Sequence, residues 1–231
     1  MIKYLFLISA AVALSGGTRP PTEVDLGSHV TRPKRAEIPN GYYTKEQRGR
    51  LVLRELARCT FATSPAKVAA VVMLPPGADV AGLRELARGD CLSEGIVGFD
   101  FALYRGTLFG EMYRRHEASG GKIWTYPVSP INFNTAPSEG NSAQIKLNYF
   151  LLSLTDCVIA KNAEAVRAVV LQPVGSKAQE AAFSAIIPQL GPCLPQGKTI
   201  TFNRTSLEMG FGEYMYRALA PVIPIAVGKP K

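Results

Sequence analysis

Histidine is almost absent from this chain. His29 and His116 are the only two in 231 residues, one in a Pro-rich leader and one at the end of a helical pattern, so no histidine cluster is expected for zinc or for a general base. No C-x-x-C occurs, which excludes thioredoxin-type redox chemistry, and no C-x-x-C-H occurs for covalent haem. G-x-S-x-G, P-loop and G-x-G-x-x-G sequences are missing as well. Neither a metal site nor a cofactor is therefore expected. After Leu14 no run is long and apolar enough for a membrane-spanning helix. Basic runs are short too, the longest being Arg32-Pro33-Lys34-Arg35, and nothing matches a nucleic-acid-binding module.

The N-terminus is where the composition departs from an ordinary folded chain. Met1, Ile2 and Lys3 precede an apolar run from Tyr4 to Leu14, followed by Ser15, Gly16 and Gly17. That is the charged, apolar, small-residue order of a secretory signal, with Ala13-Leu14-Ser15 the best cleavage site and Ala11-Val12-Ala13 its competitor. The expectation is an exported chain, periplasmic or extracellular. Lys and Arg number 26 against 18 Asp and Glu, a net charge of +8, and losing Lys3 with the signal leaves one positive charge fewer. Such a balance allows a polyanionic partner through long-range attraction, although no single face gathers it.

Export alters the reading of the four cysteines, which in an oxidising compartment predict disulfides. Four cysteines allow three pairings, and an internal repeat selects one. Leu56–Gly77 recurs as Leu154–Gly175 at a constant spacing of 98: Cys59 with Cys157, Val68 with Val166, Ala70, Val71 and Val72 with Ala168, Val169 and Val170, Pro75 with Pro173. Cys91 and Cys193 follow at a spacing of 102. A unit that once stood alone would carry its own crosslink, so the predicted pairs are Cys59–Cys91 and Cys157–Cys193. The best-matched residues, Val68, Ala70, Val71 and Val72, look like core.

The predicted fold is all-α: two homologous, disulfide-stapled units of about four short helices each, a tandem duplication. Residues 1–15 form the signal peptide, 16–43 a flexible leader, 44–116 the first unit, 117–141 a linker, 142–221 the second unit and 222–231 a tail. Thr44 with Gln47 reads as a capping box before a helix over Arg48–Cys59. Ser64-Pro65 opens a second helix that Pro75 and Pro76 end. Asp79 caps a third, and Asp100–His116 forms the longest. In the second unit, Leu147, Phe150, Leu151, Leu154 and Val158 follow a helical stripe. Asn162 and Ser176 are the next caps, with Gln179 in the capping-box position, and Pro188 and Gly191 break that helix. Ile96–Phe101 and Lys198–Phe202 alternate weakly and could pair as a minor two-stranded ribbon. The tetratricopeptide period and its aromatic-and-glycine signature are absent.

Three groups of side chains are candidates for function. Phe109-Gly110-Glu111 recurs as Phe211-Gly212-Glu213, with Met-Tyr-Arg following in each. Glu111 and Glu213 are weak candidates for paired acid and base work in a hydrolase-like site between the units. The plainer reading is an i, i+4 surface pair in each, Glu111 with Arg115 and Glu213 with Arg217. Tyr113 and Tyr216, with Trp124 and Tyr126 of the linker, are candidates for contact with a ligand or partner. Phe133 shares that linker, which is long for a connection within a domain. The partner itself is not named by any motif; an envelope component fits the expected compartment. The leading expectation is a non-enzymatic binding or structural component of a bacterial periplasm or cell surface. A hydrolase and a basic polyanion binder are the alternatives.

Overall fold

Thr44 opens the first helix through a full capping box: its hydroxyl accepts the Gln47 N–H at 3.2 Å, and the Gln47 side chain accepts the Thr44 N–H at 3.0 Å. Two of the donors that any helix start leaves over are thereby satisfied. The computed structural model describes residues 41–87, 91, 100–121, 143–196, 200 and 202–219, which belong to one compact unit. They form α1 (Lys45–Thr63), α2 (Pro65–Val72), α3 (Val80–Ala87), α4 (Phe101–Ala118), α5 (Ala143–Leu171), α6 (Lys177–Leu190) and α7 (Arg204–Leu219), with a 3-10 turn at Gly191–Cys193. Among the described residues there is no strand, and no helix is long and apolar enough to cross a membrane. The signal segment, the tail, most of the leader and the linker beyond Gly121, with Trp124, Tyr126 and Phe133, lie outside the described residues. So does most of the expected ribbon; within it Phe101 is the first residue of a helix.

Both expected disulfides are present, Cys59–Cys91 with Cα atoms 5.5 Å apart and Cys157–Cys193 at 5.8 Å. The first ties α1 to the chain after α3, the second ties α5 to the turn after α6. With separations of 32 and 36 residues, each restricts the unfolded chain by about 3–4 kcal/mol. Positions 98 apart share more than cysteines. Between α1 and α2 the backbone leaves the helix at Ser64 (φ −143°, ψ 56°), and α5 bends at Asn162 (φ −156°, ψ 72°). Asn162 Oδ1 accepts the Ala165 N–H there at 3.1 Å, restarting the helix as a cap does. Further on, Gly77 and Gly175 both have positive φ, 96° and 73°, which glycine adopts without strain.

Among the described residues the core is one apolar cluster in which Leu56, Val68, Val72, Leu83 and Phe109 meet Val158, Val166, Val170, Phe183 and Phe211. Several local expectations shift. Ala70 is exposed and Ala69 is buried in its place, because the buried face of so short a helix is set by Val68 and Val72. α1, at 19 residues, is one longer than α4. α6 continues through Pro188 to Leu190, since a proline in the last turn removes only one amide from the ladder. Asp79 stands at the start of α3, but its carboxylate turns back to the Gly77 N–H at 2.9 Å. Gln179 acts likewise, accepting the Gly175 N–H at 3.0 Å in place of closing a capping box. The α5 stripe fails in its first turn, where Leu147 is 41% exposed and Asn148 only 7%.

Candidate functional site

Helices α4 and α7 cross at glycine. A Cβ on Gly212 would lie 2.9 Å from the Cα of Gly110, and one on Gly106 would lie 2.6 Å from the Met209 carbonyl oxygen. Backbone therefore meets backbone, and the residues beside the crossing are shut away from water. Glu111 and Glu213 follow Gly110 and Gly212 directly, one on each helix.

Glu213 accepts hydrogen bonds from Arg105 Nη2 at 3.2 Å and Arg217 Nε at 3.0 Å. Burial by itself would raise the Glu213 carboxyl, but the two cations outweigh it and hold the group below the usual carboxylate range. Arg105 also pairs with Asp79 and donates to the Leu74 carbonyl at 2.9 Å. Glu111 accepts from Arg115 Nε at 2.7 Å and Arg114 Nε at 3.3 Å. Both expected i, i+4 pairs thus form. The Glu213–Arg217 pair, however, is buried, because the glycine crossing draws α4 over it.

The arginines serve a second purpose at helix ends. The last carbonyls of a helix have no partner within it and carry partial negative charge. Arg217 Nη2 donates to the carbonyl of Val72 at 3.5 Å, and Arg114 Nη1 to that of Val170 at 3.2 Å. Val72 is the last residue of α2 and Val170, 98 positions on, the last but one of α5; the first is reached by an arginine of α7 and the second by an arginine of α4. Arg54 adds bonds to Gln172 at 2.7 Å and Val169 at 3.1 Å while pairing with Glu208. Burial, and after it the neighbouring Arg54 cation, pulls the Arg114 pKa down against Glu111 and Glu208. Arg50, fully buried, donates from Nη1 to Gln179 and Glu208, both at 3.0 Å, and lies 5.3 Å over the Phe183 ring.

Acid–base catalysis requires a carboxyl group near neutrality in pKa and within reach of a reacting atom. Glu213 is an ionised anchor, with two guanidinium groups around it. Glu111 is likewise occupied by two. Among the described residues no group of three or more His, Cys, Asp or Glu is arranged to hold a metal. Tyr113 and Tyr216 do not face solvent, being 1% and 3% exposed. Burial, with Glu117 next in effect, pushes the Tyr113 phenol up to about 12, and Tyr216 packs on Phe109 with ring centres 5.9 Å apart. Asp79 is expected from the sequence only as a helix cap, and Arg105, Arg50, Arg54 and Glu208 carry no expectation. Their signal was a charge on an otherwise apolar helix face, as Arg50 stands three residues before Leu53. No family model, curated protein or solved structure matches this chain.

Proposed function

We propose that the chain is an exported, tandemly duplicated helical protein that acts without catalysis, as a binding or structural component of the bacterial periplasm or cell surface. The observation that carries this reading is the pairing of every buried carboxylate among the described residues, Asp79, Glu111, Glu208 and Glu213, with arginine. Groups so engaged hold helices together and have no free capacity for a substrate. The 98-residue spacing, kept by the bends at Ser64 and Asn162 and by the carbonyls that Arg217 and Arg114 reach, supports descent from a single duplicated unit. Closure of one disulfide within each half suits an oxidising compartment. The arginines consumed inside the protein reduce the charge left for a polyanion.

Export has a direct test. Expressed with its own N-terminus in a Gram-negative host and fractionated by osmotic shock, the protein is expected in the periplasm, beginning at Gly16, with both disulfides closed by non-reducing peptide mapping. A cytosolic product that keeps Met1–Ser15 and carries free thiols would contradict the reading.

A further inference from the structure

We propose that the hollow between the first turns of α3, α4 and α5 binds a small neutral amide with an aliphatic or aromatic body. The cavity has a volume of about 280 Å³ and is walled by Val80, Leu83, Phe101 and Ile145, with Asp79, Arg105 and Asn148 among its lining. This is close to the lower end of the size of small-molecule sites, roughly 300 Å³. A second hollow of about 100 Å³ shares Asp100, Ala102 and Asn148 with it and extends along Leu147.

Asn148 decides the chemistry. It is 7% exposed, lines both hollows and has no hydrogen-bond partner among the described residues, so its amide is open to a group that enters the cavity. The other buried polar groups of the wall are taken: Asp79 by Arg105 and the Gly77 N–H, Arg105 by Asp79, Glu213 and the Leu74 carbonyl. What remains is one neutral side chain with two N–H donors and a carbonyl acceptor. Its complement is a group that accepts and donates at once without charge, such as a carboxamide. A charged ligand would lose hydration against apolar walls with no unpaired buried counter-ion to offset it. The adjacent residue adds to the case. Leu147 is turned outward and Asn148 inward, reversing the apolar pattern of α5 at this one turn, and such reversals mark positions kept for something other than stability.

The inference deepens the binding role proposed above and rests on it; export is read without any ligand, so the two fail separately. The test is a nuclear magnetic resonance titration of the full chain, disulfides closed, with hexanamide, benzamide and, as the charged control, hexanoate. Saturable shifts are expected for Val80, Leu83, Phe101 and Ile145 with either amide, and binding of hexanoate at least tenfold weaker. Asn148→Leu should weaken amide binding at least tenfold while both disulfides stay closed and helical content by circular dichroism is unchanged, which separates loss of the amide from loss of the fold. Ala102→Trp, which fills the shared wall, should abolish the shifts. The proposal is overturned by the absence of saturable shifts, by hexanoate binding as well as hexanamide, or by unchanged binding in Asn148→Leu.

Discussion

Glu213 sits between two guanidinium groups in a part of the molecule closed to water, and that placement has a measurable consequence. Replacing it with glutamine would leave Arg105 and Arg217 sharing a site with too little negative charge. Loss of one partner from a buried ion pair costs about 3–5 kcal/mol, so Glu213→Gln is expected to lower unfolding free energy by about that amount at neutral pH. The pH dependence follows from the depressed pKa of the native carboxyl. Its contribution is complete above the unfolded value of about 4.3 and is lost as pH falls through the lower native value. Urea denaturation at a series of pH values should therefore show a gap between wild type and Glu213→Gln that is constant near neutrality and narrows in acid. A gap independent of pH would mean that the carboxyl does not titrate against those arginines.

At the scale of helices, the crossing of α4 and α7 depends on the space at Gly212. A Cβ there meets backbone atoms, the Gly110 Cα at 2.9 Å and the Gly106 carbonyl oxygen at 3.0 Å, and backbone has no rotamer by which to escape. Gly212→Ala is expected to destabilise by about 1–3 kcal/mol through forced separation of the helices. Gly191→Ala, with nothing within 4 Å of the added atom, serves as the control and should change stability by less than about 0.5 kcal/mol; thermal denaturation of the pair measures both. Much of this level was legible in the sequence. Thr44 with Gln47, Asn162 and Ser176 marked helix starts because capping is local chemistry, Pro65 marked another as a first-turn proline, and the cysteine spacing named both disulfides. The buried charges were not legible. Whether Glu213–Arg217 lies on the surface or inside depends on what crosses over it, and Asp79, which pairs with Arg105 across 26 positions, offers no short-range signature. The inversion of Leu147 and Asn148 is of the same kind, set by packing of three helix ends.

For the whole molecule, the decisive feature is that arginines from each half bind helix-end carbonyls of the other: Arg217 at Val72, Arg114 and Arg54 at Val170. Each half thus contributes groups that the other needs to satisfy its buried backbone, and neither has its full set of partners by itself. Two domains on a tether would unfold separately, whereas halves interlocked in this way share one transition. Disulfides confined to each half do not by themselves couple the halves, so cooperativity reports on the arginine contacts and the glycine crossing. Hydrogen exchange followed by mass spectrometry across a urea series, with disulfides intact, tests this most directly. The expected result is that peptides from α1, α2 and α4 and peptides from α5, α6 and α7 lose protection at one common urea concentration. Loss of protection in one half while the other remains protected would contradict the interlocked arrangement.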